Sequence, residues 1–372
     1  SGALSSVLDI QLRDGNPEKQ TFKATLGASE VSLSGSGHIG EQTSYLFSLR
    51  QSYLQLLFKM LGLPFLPNYI DGQAKVKTRL SEHDELTVLG LAGFDNMKLN
   101  LDEEGEDAEY LLSYLPRIRQ ETFTVGAAWR HYAGRHVQTV SLGHTYLNNR
   151  NLKYRGNDDS SEDNLTLRLR SVEQKTTLRA ENRSYLGRWT VREGAELSYS
   201  GYTNRTEQRL FTDEAALSDY RTRLGIVGWG LFAGADYASA DKRFTASVGV
   251  RADGADYSAR MARFWRQLSP RASVSYQLGK GWLLSGSAGL YYQLPPRVAT
   301  APLPAHLLKC CALRVRDIAG CEGVQVGATL FVPLKVERDI EAKDLVQLLS
   351  YRVPKMLKGS LGLLFGEIQS YG

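Results

Sequence analysis

Basic side chains recur at alternate positions in two stretches of the sequence. The candidates for a ligand-binding role are Lys75, Lys77, Arg79 and Arg179. Residues two apart share one face of an extended strand, so Lys75, Lys77 and Arg79 would form a line of positive charge. Two interpretations stay open. The line attracts an anionic ligand or the carboxylates of another domain, or it belongs to a polar surface whose charges pair with acids such as Glu181.

Histidine and cysteine spacing gives little support for a metal centre. His136 and His144 would share a strand face but lie about 26 Å apart at roughly 3.3 Å per residue. His131 and His136 flank a turn, and no third ligand is evident there. Cys310, Cys311 and Cys321 all lie in the last fifth of the chain and have no fourth ligand. We therefore expect no metal site.

No pattern of catalytic residues stands out, so the sequence predicts neither an enzyme nor a cofactor. Residues 35–40 match the dinucleotide fingerprint G-x-G-x-x-G, but that motif requires a following helix. Residues 43–53 instead have the alternation of a strand. The net charge of +5 and the 23% of charged residues exclude a strongly basic nucleic-acid arm. No apolar run reaches about 18 residues, the length of a helical membrane span.

Alternation of apolar and polar residues is the dominant pattern from residue 20 to about residue 293. It predicts about thirteen strands, each with a core of about 9–11 alternating residues, which is the length that crosses a bilayer when tilted. Around residues 165–182 the parity of the alternation changes, and we expect a β-bulge there. Aromatic residues gather near strand ends, as in the girdles of membrane barrels.

The predicted connections alternate between short and long. Long ones cover residues 54–68, 96–115, 151–163, 206–218 and 257–268, and short turns lie between them. Only the first hairpin, near Ser29 and Glu30, is short where a long loop is expected. An up-and-down barrel in an outer membrane has this order of turns, whereas a Greek-key sandwich has no reason for it. The sequence thus predicts an all-β, antiparallel, up-and-down transmembrane barrel section.

The last part of the chain, residues 295–372, does not continue the pattern. Alternation stops after Pro295 and Pro296, and residues 339–351 have the apolar spacing of a helix. We expect an irregular or partly helical tail. A frameshifted reading frame and a genuine appended segment both explain the change, and the sequence leaves both open.

Several stretches occur in an order typical of one family. They are SSVLDIQLRDG (5–15), RQSYL (50–54) with LGLPFLP (61–67), GVRAD (249–253), LSPRASVSY (268–276) and GLYYQLP (289–295). Together they resemble the TonB-dependent outer-membrane receptors, in the form common among Bacteroidetes-like bacteria. The resemblance implies that residues 1–16 end a plug domain and residues 17–294 form part of the barrel. That barrel has roughly 22 strands and a plugged lumen, so about nine strands and most of the plug would lie elsewhere.

What the resemblance implies for function is active uptake of a scarce nutrient across the bacterial outer membrane. The family's cargoes are ferric siderophores, haem, cobalamin or glycans. The implied partners are the TonB protein through an upstream segment, the plug domain, outer-membrane lipid and a surface lipoprotein, with no nucleic acid. Two alternatives stay open: a passive porin-like channel and a soluble all-β carbohydrate-binding protein.

Overall fold

The computed structural model describes residues 11–210, 216–259, 261–279, 282–292 and 322–331. Its strands are β1 (Thr21–Leu26), β2 (Glu30–Ile39), β3 (Thr43–Ser52), β4 (Phe65–Arg79), β5 (Asp84–Leu99), β6 (Arg117–Ala133), β7 (His136–Tyr154), β8 (Leu165–Leu186), β9 (Trp189–Leu210), β10 (Ala216–Ala238), β11 (Phe244–Ala255), β12 (Leu268–Gly279), β13 (Trp282–Tyr292) and β14 (Glu322–Phe331). Two α-helices, α1 (Leu54–Met60) and α2 (Glu106–Tyr114), lie in connections, with short 3-10 turns at Arg155–Asn157, Glu162–Asn164 and Phe264–Arg266. None of the described helices has the length and apolar content that a membrane-crossing helix needs.

The strands form one sheet in which each strand neighbours the next along the chain, in the order β1 to β14. The pairings given from β1 to β12 are all antiparallel. The predicted all-β, up-and-down, antiparallel fold is therefore confirmed. The strand β14 was not predicted, and the helix expected over residues 339–351 lies outside the described residues.

Two compact units make up the chain. The first comprises Ser1–Tyr276 with Ser285–Thr329, and it contains every site discussed below. The second comprises Gln277–Leu284 with Leu330–Gly372, and its described residues belong to the strand segments at 277–279, 282–284 and 330–331.

Long and short connections alternate as predicted except between β9 and β10, where most of the long connection expected at 206–218 is strand, since β9 ends at Leu210 and β10 begins at Ala216. Two-residue turns join β6 to β7 and β8 to β9, whereas α1, α2 and the 3-10 turns lie in the long connections. The β1–β2 turn is short, also as predicted. The strands β8 and β9 have 22 residues each, about twice the length of the alternating core that the sequence suggests. Their ends therefore extend past the apolar band, the stretch of outward apolar residues that would face lipid.

The strands whose side chains the structure describes separate an apolar face from a polar face. We define the apolar face as the side that bears Val76, Leu142, Leu178 and Leu197, whose side chains are 40–52% exposed. Leu178 lies opposite Leu142 on one neighbouring strand and opposite Leu197 on the other. The residues between them point to the other side, the polar face, because successive side chains of a strand alternate.

An irregularity of the kind predicted around residues 165–182 occurs in β8, but it precedes the change of parity that it was expected to explain. The register of β8 with β9 runs unbroken from Leu167 to Leu186. The β7–β8 register shifts between Lys153 and Tyr154, whose partners on β8 are Leu167 and Leu165, so Thr166 is the extra residue. Leu167 and Leu169 therefore lie on the polar-face side of β8, whereas Leu165 lies past the irregularity, opposite Tyr154, and is buried.

Candidate functional site

The segment before β1 is attached to the polar face of β4. Lys75 Nζ lies 2.6 Å from Asp14 Oδ1, and Lys77 Nζ lies 2.9 Å from Asp14 Oδ2. Lys75 also donates to the carbonyl oxygen of Leu12 at 2.8 Å. Lys75 and Lys77 were two of the four candidate ligand residues, and in this structure both bind the chain's own N-terminal segment.

The same segment contacts β2 and β3. The backbone N–H of Asn16 donates to Ser36 Oγ at 3.0 Å, and Gln20 Nε2 donates to the carbonyl oxygen of His38 at 2.6 Å. Gly15 is buried against β3, where an added Cβ would lie 2.2 Å from the carbonyl oxygen of Tyr45. Residues 11–20 contain neither helix nor strand, so these side-chain contacts are what hold them on the sheet.

Charge interactions hold Asp14 ionised. Burial favours the neutral carboxyl, but hydrogen bonds from Lys75 and Lys77 outweigh it and lower the pKa of Asp14 below its usual 3.8. Lys77 also pairs with Glu85 at 3.1 Å, and Glu85 in turn pairs with Arg130. A chain of alternating charges thus leads from the N-terminal segment across β4 and β5 to β6.

Arg179 occupies a second charged cluster on the polar face, which we call the Glu196 cluster and which comprises Arg179, Glu181, Glu196, Phe232 and Arg251. Arg179 and Arg251 each lie 3.3 Å from a different carboxylate oxygen of Glu196. Both guanidinium groups also lie over the ring of Phe232, with Arg179 Cζ at 4.2 Å and Arg251 Cζ at 5.8 Å from its centroid. This is a cation–π arrangement reinforced by a shared anion.

The predicted pairing of Arg179 with an acid occurs. Arg179 lies 2.6 Å from Glu181, which also binds Arg183 at 3.1 Å. An open cavity of about 410 Å³ adjoins these residues, with Phe232, Arg251 and Ser269 in its wall. The Glu196 cluster therefore presents arginine side chains to a space large enough for a small ligand or a side chain from another domain.

The fourth candidate, Arg79, ends β4 and is exposed. Among the described residues it takes part in no ion pair, and it does not join the Glu196 cluster. The four candidates therefore divide among two clusters and one separate position.

Sequence reasoning missed Asp14, Phe232 and Arg251. Phe232 is the informative case, because it lies opposite Gly194 and Arg251 on the polar face. A large aromatic residue at a polar position of an alternating strand is a signal that could have found it. No group of three His, Cys, Asp or Glu side chains in the described part of the chain is placed to hold a metal ion. The three cysteines lie outside that part.

Two of the long connections are joined by a buried lysine. Lys153, 7% exposed, donates from Nζ to the carbonyl oxygen of Leu112 at the end of α2 and to Asn157 Oδ1 at 2.7 Å. Asn157 Nδ2 donates to the same Leu112 oxygen at 3.1 Å. These bonds connect the β5–β6 and β7–β8 connections.

An antiparallel meander of long strands, with an exposed apolar face and a charged opposite face, defines the class of transmembrane β-barrel proteins. The chain belongs to the TonB dependent receptor-like β-barrel family, whose model matches residues 68–305, more than half of the chain. This confirms the resemblance seen in the sequence. Proteins of this family are transporters rather than enzymes, and the family's members are outer-membrane β-barrels.

Solved receptor structures share the fold. The ferric enterobactin receptor PfeA, from Pseudomonas aeruginosa, aligns with a TM-score of 0.52 at 14% identity over 74% of this chain and 44% of that chain. FpvA of P. aeruginosa, bound to heterologous pyoverdines, aligns with a TM-score of 0.53 at 12% identity over 72% and 41%. The copper transporter OprC gives 0.52 at 12% identity over 75% and 47%.

The chain therefore spans less than half the length of these three receptors. The comparison with curated proteins gives no match to the sequence.

Proposed function

We propose that the chain is part of a receptor that takes up a scarce nutrient across the outer membrane, driven by the TonB protein. The observation that carries this proposal is the attachment of residues 11–20 to the polar face through Asp14, Lys75 and Lys77. A passive porin has no plug, and its first strand needs no such preceding contact. Residues 1–16 would be the end of the plug domain in this interpretation, and the described part is residues 11–16.

The rest of the sheet suits the same role. Its apolar face would contact outer-membrane lipid, and its polar face would line a lumen filled by the plug. The long connections with α1 and α2 would lie on the outside and contribute to ligand capture, beside a surface lipoprotein where one is present. Membership in a transporter family also argues against a soluble carbohydrate-binding sandwich.

For the cargo we keep four classes: ferric siderophore, haem, cobalamin and glycan. Three solved relatives bind ferric enterobactin or pyoverdine or transport copper, which supports a metal complex. Of the candidate residues, Arg179 suits contact with an anionic cargo or with plug carboxylates, because it borders the open cavity. Lys75 and Lys77 suit plug attachment.

The test is uptake by cells that express the full receptor and lack their own receptors. Labelled ferric enterobactin, ferric pyoverdine, haem, cobalamin, copper and an oligosaccharide are supplied in strains with and without TonB. We expect saturable uptake of one cargo that disappears without TonB. Equal uptake in both strains would identify a passive channel, and recovery of a folded receptor without detergent would identify a soluble protein.

A further inference from the structure

The short-turn end of the sheet has an uneven charge distribution. The β2–β3 and β4–β5 turns carry Glu41 and Glu82, with Asp84 at the start of β5. The next three short turns carry four exposed basic residues, which we call the basic turn tips: Arg135, Arg188, Lys242 and Arg243. Arg79 also borders the β4–β5 turn, but within the described turns themselves the positive charge lies between β6 and β11.

The backbone fixes two of these tips in the same geometry. Gly134 and Gly187 have φ values of +61° and +67°, and each is followed by arginine in a two-residue hairpin loop. Glycine with positive φ at the first central position is the arrangement of a type II′ turn. Each arginine carbonyl accepts a bond from the next hairpin, from Tyr185 N–H at 2.9 Å and from Ala238 N–H at 3.0 Å. The two arginines are therefore presented alike, about 10 Å apart at two strand spacings.

Aromatic side chains lie directly beside the basic turn tips on the apolar face. Trp189 follows Arg188, and Phe244 follows Arg243. The rings of Trp189 and Tyr237 are 5.0 Å apart, those of Tyr237 and Phe244 are 6.2 Å apart, and Tyr276 is the register partner of Phe244. Trp189, Phe244 and Tyr276 are 37–48% exposed. We call Trp189, Tyr237, Phe244 and Tyr276 the aromatic row.

We propose that the basic turn tips, together with the aromatic row, bind the headgroups of anionic phospholipid in the membrane leaflet at the short-turn end. Trp and Tyr rings favour the boundary between hydrocarbon and water, which places the basic turn tips at the depth of the phosphates. Guanidinium and ammonium groups bind phosphate through charge-assisted hydrogen bonds. Each basic residue near an anionic lipid surface contributes separately to the attraction between the protein and the lipid. The proposal rests on the proposed membrane location.

An acidic protein partner at the same end is the competing occupant. It would account for the basic turn tips, but not for a row of exposed aromatic side chains on the apolar face. The only carboxylate within the three basic turns is Asp241, which accepts a hydrogen bond from the backbone N–H of Arg243 at 3.2 Å. The combination of charge and interfacial aromatics therefore favours lipid.

The test uses the full receptor in lipid vesicles with spin-labelled phosphatidylglycerol and spin-labelled phosphatidylcholine as probes. Electron paramagnetic resonance gives the fraction of each probe that is immobilised by the protein, and hence their relative association. We expect the native receptor to prefer phosphatidylglycerol. The preference should fall in R135Q/R188Q and fall further in R135Q/R188Q/K242Q/R243Q, by roughly five-fold for each basic residue removed. The preference should also weaken at high salt.

The charge-matched control is K59Q/K98Q, which removes two exposed basic residues at the long-connection end. It should keep the preference, and heat-modifiable migration on gels should show that all variants fold. Equal association of both probes with the native receptor would overturn the proposal. An unchanged preference in R135Q/R188Q would also overturn it. If that variant kept the lipid preference but no longer bound an acidic periplasmic protein, the basic turn tips would be a protein-binding site instead. Absence of any immobilised lipid would contradict the membrane location itself, whereas loss of TonB-driven uptake alone would leave the lipid site standing.

Discussion

Asp14 and Lys75 form a contact of 2.6 Å between the segment before β1 and the polar face of β4. Lys75 uses the same Nζ to bind the carbonyl oxygen of Leu12, so one side chain holds both the charge and the backbone of the segment. Lys77 supplies a second positive charge to Asp14. In a receptor that is opened by force on its plug, this contact would be the point at which the plug ends and the fixed wall begins.

Asp14→Asn should loosen residues 11–20 without disturbing the sheet. The amide keeps the shape of the side chain but loses the charge that Lys75 and Lys77 bind. A partly exposed ion pair of this kind contributes about 1 kcal/mol, so amide hydrogen exchange of the segment should quicken about five-fold. The control is Glu18→Gln, which removes a carboxylate from the same segment that is exposed and outside these contacts. Equal exchange in Asp14→Asn and the native receptor would contradict a holding role.

Acid should have the same effect as this substitution. The pKa of Asp14 is lowered in the folded state, so the stabilisation is present at neutral pH and is lost as the pH falls below about 4. Hydrogen exchange of residues 11–20, corrected for its intrinsic pH dependence, should rise in that range in the native receptor. Asp14→Asn should show no such step. A native profile that stayed flat down to pH 3 would mean that the Asp14 charge does not hold the segment.

Alternation alone predicts the two faces of the sheet, because the side chains of a strand must alternate. It places Leu178 on the apolar face and Arg179 on the polar face, where the structure has both. It is less exact at the start of β8, where the structure has an irregularity in the register with β7 at Thr166, before the leucines whose change of face the bulge was expected to explain. Beyond the apolar part of the strand the surroundings no longer require outward apolar residues, so Leu167 and Leu169 lie on the polar-face side.

Contacts between distant parts of the chain could not be predicted in the same way. Asp14 and Lys75 are 61 positions apart in the sequence. The alternation of apolar and polar residues around each of them does not indicate that they are in contact. The pairing of Arg179 with Phe232 depends on which strands are neighbours and in what register. Of the residues that sequence reasoning missed, Phe232 is the one that departs from the local alternation, because it is an aromatic residue at a position of the polar face. It belongs to the Glu196 cluster.

Arg179 and Phe232 should show coupled effects on stability. Arg179→Lys keeps the charge for Glu181 and Glu196 but loses the planar group over the ring, and Phe232→Leu removes the ring. We expect a coupling energy of about 1 kcal/mol from a double-mutant cycle on the free energy of unfolding in urea. Arg170→Lys combined with Phe232→Leu is the control, since residue 170 lies about 30 Å further along β8. Strict additivity of Arg179→Lys and Phe232→Leu would exclude the cation–π contact.

Lys153→Met should separate the β5–β6 and β7–β8 connections. Methionine fills similar space but removes the lysine bonds to the carbonyl oxygen of Leu112 and to Asn157 Oδ1, so the Leu112 oxygen keeps only Asn157 Nδ2 as a donor. The loss of these bonds should cost about 1–3 kcal/mol locally. Hydrogen exchange should quicken in residues 106–116 and 155–164 together and stay unchanged in β6 and β7. Lys98→Met, at an exposed position on β5, is the matched control. Faster exchange in only one of the two connections would show that Lys153 does not join them.

Gly134→Ala and Gly187→Ala should each destabilise the receptor through the backbone alone. At both positions an added Cβ would have no heavy atom within 4 Å, so steric contact adds nothing and the positive φ accounts for the cost. A residue with a side chain costs about 1 kcal/mol in this conformation, and the double variant should lose about 2 kcal/mol in urea unfolding because the turns are separate. Gly90→Ala on β5 is the control, since it has the same open space without a positive φ and should be neutral or stabilising by roughly 0.5–1 kcal/mol. If Gly134→Ala and Gly90→Ala behaved alike, the turn geometry that presents Arg135 and Arg188 would not be as described.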